Sequence, residues 1–439
     1  MKTTSIIIRY IGIGCLVTGL AVTGSVVSTF GQAVELSATA YRLRVLDYSR
    51  QLRSSSAEAD AMREAVRTAR TAFFPAVDMA GNYQYRFNSH NMQMDGSALP
   101  IDNNNYTVEA GISQPVYAGG QIYNSYKATQ IQSEIARESE LLTTDNVIRS
   151  ADVCYWSAAA NKRLYEVMCE YYTIVKRLAD VLAIRYADGQ ISKTDLLQVQ
   201  SRLKEAELSR STAHKDFRIA LQSLNTLMGA DPMSDVALTD SISTYCQLPL
   251  KAGDDVATDN RPDFRIALLD IDYQERQVKL AAARYNPTVA IGFKETWGTP
   301  TINTKGADRL WNSVIYASVQ IPLFRWGARF RERNTQKAIL RSKEYAADAT
   351  RDRISQEVAA AWTNLTEYGR QIGIAESSCL IAAENLDLNT FSYTEGKLPI
   401  VDVLSAQLSW IQAYSGLIQV WLQQKVSLTD YNKAVGNRP

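Results

Sequence analysis

Proline and glycine are scarce in this chain, 11 and 22 in 439 residues, so little interrupts long helices. Excess charge of either sign is also missing. Lys+Arg is 47 and Asp+Glu is 46, and no basic surplus asks for a nucleic-acid backbone, so no nucleic-acid partner is expected. There are only two histidines, His90 and His214, and they stand apart. Beyond the first residues the cysteines are Cys154, Cys169, Cys246 and Cys379, with no CxxC pair. On one helix, Cys154 and Cys169 would lie roughly 22 Å apart, too far for a disulfide. Metal and redox sites are therefore not expected, and neither is a cofactor. A nucleophile elbow, a histidine-centred triad and a metal-ligand cluster are lacking too, so no catalytic site is expected and the chain does not read as an enzyme.

The beginning reads as an export signal. Lys2 and Arg9 precede an apolar stretch from Ile11 to Val27, and small residues follow, with cleavage after Gly31 or Ala33, so residues 1–33 are assigned as a signal peptide. Cys15 does not read as a lipidation site, because Gly12 stands where a large aliphatic residue belongs. No later window of about 18 apolar residues suits a spanning helix. An exported chain of this kind is periplasmic, secreted or inserted as a β-barrel.

The sequence then says the same thing twice. At a constant offset of 207 residues, Tyr186-Ala187-Asp188-Gly189 matches Tyr393-Thr394-Glu395-Gly396, and Asp195, Leu197 and Gln200 match Asp402, Leu404 and Gln407. Pro115, Gly120 and Gly229 match Pro322, Gly327 and Gly436 in the same way. A period this long marks a duplicated domain and not a short-repeat solenoid. The halves are placed at 34–230 and 261–436, with a linker at 231–260. In each, a helix ends at a proline (Pro75, Pro287), and two alternating segments precede a very long helix, a glycine turn and a second long helix.

The alternating segments are expected as strand pairs 76–87/106–117 and 288–297/313–323. Val77, Met79, Tyr83, Tyr85 and Phe87 fall on one face and Asp78, Asn82, Gln84 and Arg86 on the other; Val289, Ile291, Phe293 and Trp297 alternate with Thr288, Lys294 and Thr296. Period two with about ten residues suits either a tilted membrane-crossing strand or a half-buried soluble sheet. The export signal and the terminal aromatics favour the membrane. From Gln121 to Asp188 there is no glycine or proline, and from Ala328 to Glu395 there is no proline, although Gly369 and Gly373 interrupt that run. Helices of that length, about 100 Å, need partners along their sides; several shorter helices are the alternative. Four strands per chain cannot close a barrel, so neighbouring copies must complete it. Three copies leave an opening, and a homotrimer is expected.

At this point the chain resembles the TolC-type outer-membrane efflux family. The resemblance rests on Arg261-Pro262-Asp263-Phe264, on Arg284-Tyr285-Asn286-Pro287, and on the paired junctions Gln114-Pro115-Val116-Tyr117 and Ile321-Pro322-Leu323-Phe324. The hairpins around Gly189 and Gly396, each with an acid six positions on, add to it. It implies an α+β membrane protein, with a trimeric twelve-stranded barrel in the outer membrane of a Gram-negative bacterium and a helical tunnel in the periplasm. It also implies a passive exit duct for efflux or type I secretion, working with a periplasmic adaptor and an inner-membrane pump. The linker would form part of an equatorial region around the tunnel.

The resemblance implies adaptor docking at Gly189-Gln190-Ile191-Ser192 and Gly396-Lys397-Leu398-Pro399. Glycine permits the reversal, Ser192 or Thr194 suits a helix cap, and Pro399 suits a first helical turn. The resemblance also places Asp195, Tyr393 and Asp402 at the periplasmic entrance, where three copies of each acid would form an anionic ring. Both acids equally suit a helix N-terminus. Where the family's namesake has an arginine two positions after the second tip glycine and a further aspartate three after the shared one, this chain has Leu398 and Ser405, so that closed-state network does not transfer. Met92 and Met94, in the loop between the first strands, carry no metal reading. The competing expectation is a periplasmic coiled-coil scaffold or adaptor.

Overall fold

The computed structural model describes residues 34–438, except 88–90, 95–96, 245, 252, 301–302 and 304–307. The expected signal segment 1–33 and its cleavage position lie outside the described residues. The chain begins with strand β1 (Val34–Leu36), then helices α1 (Ala38–Tyr48) and α2 (Arg50–Thr71). Strand β2 (Ala76–Tyr85), a small hairpin β3 (Asn91–Met94) and β4 (Ser97–Pro100), and strand β5 (Asn104–Ala118) follow. The long hairpin α3 (Gln121–Ala187) and α4 (Lys193–Leu227) closes the first half. After β6 (Val236–Leu238) and α5 (Asp254–Asn260), the plan recurs as α6 (Pro262–Ala283), β7 (Thr288–Gly298), β8 (Leu310–Gln320), α7 (Ala328–Thr394) and α8 (Ile400–Val435).

Each of the two longest helices has 67 residues, about 100 Å of unbroken helix. Gly369 and Gly373, expected to interrupt the second, lie inside α7; lateral packing outweighs their propensity cost of about 1 kcal/mol each. Both helices start after a left-handed glycine, Gly120 or Gly327, where the extended chain turns.

The central sheet has the order β2-β5-β7-β8, antiparallel throughout. Strand ends differ from those expected. The last strand stops at Gln320, paired with Thr288, and not at 323, because Pro322 has no N–H to extend the ladder. It starts earlier, at Leu310, while β2 stops at Tyr85 and β5 runs wider than expected. One face of the sheet carries Val77, Met79, Tyr83, Val108, Ile112, Phe293, Trp297, Trp311, Ile315 and Val319 in cross-strand register. Glu295 interrupts that face and accepts a 2.7 Å hydrogen bond from Ser313 Oγ. The opposite face is polar, with Lys294 paired to Glu109 at 2.7 Å.

Helices pack side by side in the order α2, α3, α6, α7, continuing the strand order, while α4 and α8 pair with α3 and α7. The main core lies around the middle of α3. Tyr155 is fully buried there and donates to the Leu36 carbonyl at 2.9 Å, and Leu36 belongs to β1, which pairs in parallel with β6. The start of the described chain and the linker are thereby fastened to the helical wall. A second anchor is Arg261, buried at the start of α6, which holds Asp263 at 2.7 Å and Glu357 of α7 at 2.6 Å. Burial opposes both charges there, but their mutual bonds prevail: the Asp263 carboxyl is held below the usual carboxylate range and the Arg261 guanidinium is pushed up.

Candidate functional site

The tips of the two long hairpins reverse by the same backbone device. Gly189 and Gly396 sit at φ +72° and +73°. At the first tip the Gly189 N–H donates to Tyr186 O at 3.0 Å and Gln190 N–H to Arg185 O at 2.8 Å; at the second, Gly396 donates to Tyr393 O at 3.0 Å and Lys397 to Ser392 O at 2.9 Å. These paired bonds satisfy the last carbonyls of each helix. A side chain at either glycine would meet nothing within 4 Å, so the requirement for glycine is conformational.

The following helix starts differently at the two tips. Ser192 caps α4: its hydroxyl accepts from Asp195 N–H at 3.1 Å while its own backbone N–H donates to Asp195 Oδ2 at 3.4 Å, closing a capping box, and the hydroxyl also donates to Oδ2 at 2.9 Å. Thr194, the other cap considered, lies within the helix. Pro399 stands at the N-cap of α8 and not in its first turn, as expected from sequence, and it offers no side-chain cap. Asp402, the counterpart of Asp195, makes no side-chain hydrogen bond or ion pair among the described residues, so its charge faces the helix N-terminus without a capping partner.

Tyr393 is not at an open surface in the single chain. It is 9% exposed and packs with Leu182 and Val199 of the first hairpin and Ile400, Val403 and Leu404 of the second. The Arg185 guanidinium lies 5.7 Å from its ring centre. Ile191 packs against this cluster, whereas Gln190, Ser192, Lys397, Leu398 and Pro399 are exposed. The cluster thus joins the two hairpins near their tips, while Asp195 and Asp402 remain half-buried at the starts of their helices. Arg185, Leu182 and Val199 were not singled out from sequence, since nothing local distinguishes them from other helical wall residues.

The four cysteines of the described chain are free, and no group of metal-ligating side chains assembles among the described residues. No described helix is long and apolar enough to cross a membrane.

Comparison with known proteins agrees with this architecture. The sequence profile of the outer membrane efflux protein family matches residues 43–230 and 255–437. The chain is similar to protein CyaE of Bordetella pertussis, at 23% identity over 84% of this chain and 77% of that protein. It is also similar to outer membrane protein TolC of Escherichia coli, at 20% identity over 96% and 85%. Its fold resembles that of the outer membrane protein VceC from Vibrio cholerae, with a TM-score of 0.77 at 16% identity over 91% of this chain and 96% of that one. A periplasmic scaffold or adaptor does not describe a relative of these proteins. The chain belongs to the outer membrane efflux protein family, and it is an exit duct in the outer membrane with its helical part in the periplasm.

Proposed function

We propose that three copies of this chain close one duct, each supplying four strands to a twelve-stranded barrel and its helices to a common tunnel. The observation that carries this reading is the four-stranded sheet with β2 and β8 left as unpaired edges. In hydrocarbon each unpaired backbone group costs several kcal/mol, so the edges must meet other strands. Two copies would give a barrel filled by its own side chains, and three leave a passage.

The tunnel conducts passively. A periplasmic adaptor joins it to an inner-membrane pump, which supplies the energy, and the hairpin tips at Gly189–Ser192 and Gly396–Pro399 are the docking surfaces. Asp195 and Asp402 set an acidic rim at the entrance, with Tyr393 anchoring the hairpin that carries Asp402. Two features support this assignment: the tips are exposed, and Asp402 has no side-chain partner among the described residues.

The test is the detergent-extracted particle and its conductance. A mass of three chains and cation-preferring channels are expected, with the preference reduced in Asp402→Asn. A purified monomer without conductance defeats the duct, and unchanged ion selectivity removes Asp402 from the entrance.

A further inference from the structure

The two strand-to-helix junctions have the same backbone plan and different chemistry. After β5 the chain reads Val116-Tyr117-Ala118-Gly119-Gly120, and the positions 207 residues before Arg325, Arg329, Arg331 and Arg333 hold Ala118, Ile122, Asn124 and Tyr126. After β8 it reads Leu323-Phe324-Arg325-Trp326-Gly327, and those four arginines follow within two helical turns. Four positive charges on one copy meet none on the other. Since both copies make the same turn into a 67-residue helix, folding does not require the arginines.

The second junction is also apolar and open. Leu323 is 90% exposed and Trp326 87%, and the Phe324 and Trp326 rings stack edge-on at 5.1 Å. Trp326 has φ +47°, the only positive φ among described residues other than glycine. A bulky residue adopts that backbone only under strain. The strain holds an indole out in solvent, where the single chain gives it only the Phe324 ring.

The arginines are weakly engaged. Arg325 lies 5.8 Å from the Tyr285 ring centre, and Arg329 reaches Asn286 Oδ1 at 3.4 Å. Arg331 and Arg333 have no acidic partner among the described residues, and all four are exposed. Helix α2 is the element a neighbouring copy would bring to this edge; its Arg67 is already paired with Glu64 at 2.6 Å, and its last turn carries Arg70 and no acid. Exposed aromatics beside arginines, directly beyond the end of a lipid-facing strand, have the composition of a membrane interface.

We propose that the junction 323–333 binds the phosphate headgroups of anionic phospholipids at the periplasmic surface of the outer membrane, with Leu323, Phe324 and Trp326 among the upper acyl chains. Only the second half of the chain does this, so an assembled duct carries three such sites. The inference rests on the trimeric reading above.

The test is native mass spectrometry of detergent-purified trimers titrated with phosphatidylglycerol or phosphatidylcholine. The wild type should retain phosphatidylglycerol preferentially. R325Q/R329Q/R331Q/R333Q should lower that retention about tenfold or more, leaving phosphatidylcholine and the trimer unchanged. R331Q/R333Q, which removes two side chains without an acidic partner among the described residues, should lower it in the same direction and guards against a folding defect. Removing three exposed charges at the far end, in K176Q/R177Q/K193Q, should leave phosphatidylglycerol retention unchanged. Equal retention of the two lipids by wild type, or undiminished phosphatidylglycerol binding by the quadruple variant, overturns the proposal. Dissociation of both arginine variants into monomers also overturns it, since the patch is then a contact between copies. A wild type that never forms trimers defeats the duct reading instead.

Discussion

Tyr186 and Tyr393 occupy the same place in the two hairpins, 207 residues apart in the same turn of sequence, and they meet opposite fates. Tyr186 is 40% exposed, whereas Tyr393 is buried between the hairpins. Leu197 and Leu404 repeat the contrast at 53% and 7%. The second hairpin lays one face on the first within the chain, while the corresponding face of the first hairpin has no second hairpin to meet. In the three-chain ring proposed above, the neighbour would supply one, which would account for the unequal burial of equal residues. The helices α2 and α6 differ in a related way. They are of equal length, but α2 starts from a serine cap, Ser49, and α6 from the buried Arg261 cluster.

The largest test of that comparison lies at those helix starts. Arg261→Ala leaves the half-buried Asp263 with only the exposed Arg353 at 3.1 Å and Glu357 without its buried partner, and should cost about 3 kcal/mol or more, against about 1 kcal/mol for Ser49→Ala, which loses only the cap on Leu52 N–H. Denaturant unfolding of both variants measures the difference, and equal costs would remove the ionic cluster as the stronger anchor.

Next in size are the tyrosines. Tyr393→Ala should destabilise the tips by about 3 kcal/mol, read as hydrogen exchange of residues 182–200 and 390–404. In monomeric chains Tyr186→Ala should cost under about 1 kcal/mol. In assembled trimers the two costs should converge; if Tyr186 stays neutral there, the ring does not close through that face.

Glycines give a smaller contrast along one hairpin. Gly229→Ala combines φ +75° with a Cβ 2.3 Å from the Tyr48 ring, and should cost about 2–3 kcal/mol in thermal unfolding. Gly189→Ala, with open space at φ +72°, should cost about 1 kcal/mol.

The smallest effect is that of acid. Because the Asp263 carboxyl is held low in the folded chain, its contribution to stability is complete above the ordinary carboxylate range and fades as pH falls through its lowered value. Asp263→Asn should therefore flatten the loss of stability as pH falls below the ordinary carboxylate range, measured by unfolding at each pH.

Much of this was legible in the residues. Alternation in Val77–Phe87 and Val289–Trp297 marked strands, and the repeated Tyr-x-x-Gly turn marked both hairpins. Ser192 was visible as one of two candidate caps, with Thr194, but its pairing with Asp195 was not read. The basic junction after β8 was legible too, but only by setting it against its blank counterpart after β5. What escaped was pairing at a distance. Nothing local shows that Arg185 covers Tyr393, that Arg261 reaches Glu357, or that Glu295 on the apolar face is met by Ser313.

The sequence by itself determined the repeat at an offset of 207, the breaker-poor runs that can become long helices and the glycine turns between them, because these follow from periodicity and backbone preference within a few residues; that the second run stays one helix across Gly369 and Gly373 was decided by packing. Tertiary structure alone decided the strand order β2-β5-β7-β8, the register of β5 on β7, and which tyrosine of the repeated pair is buried. Burial depends on the neighbour a residue meets, and two copies of one local pattern cannot specify different neighbours.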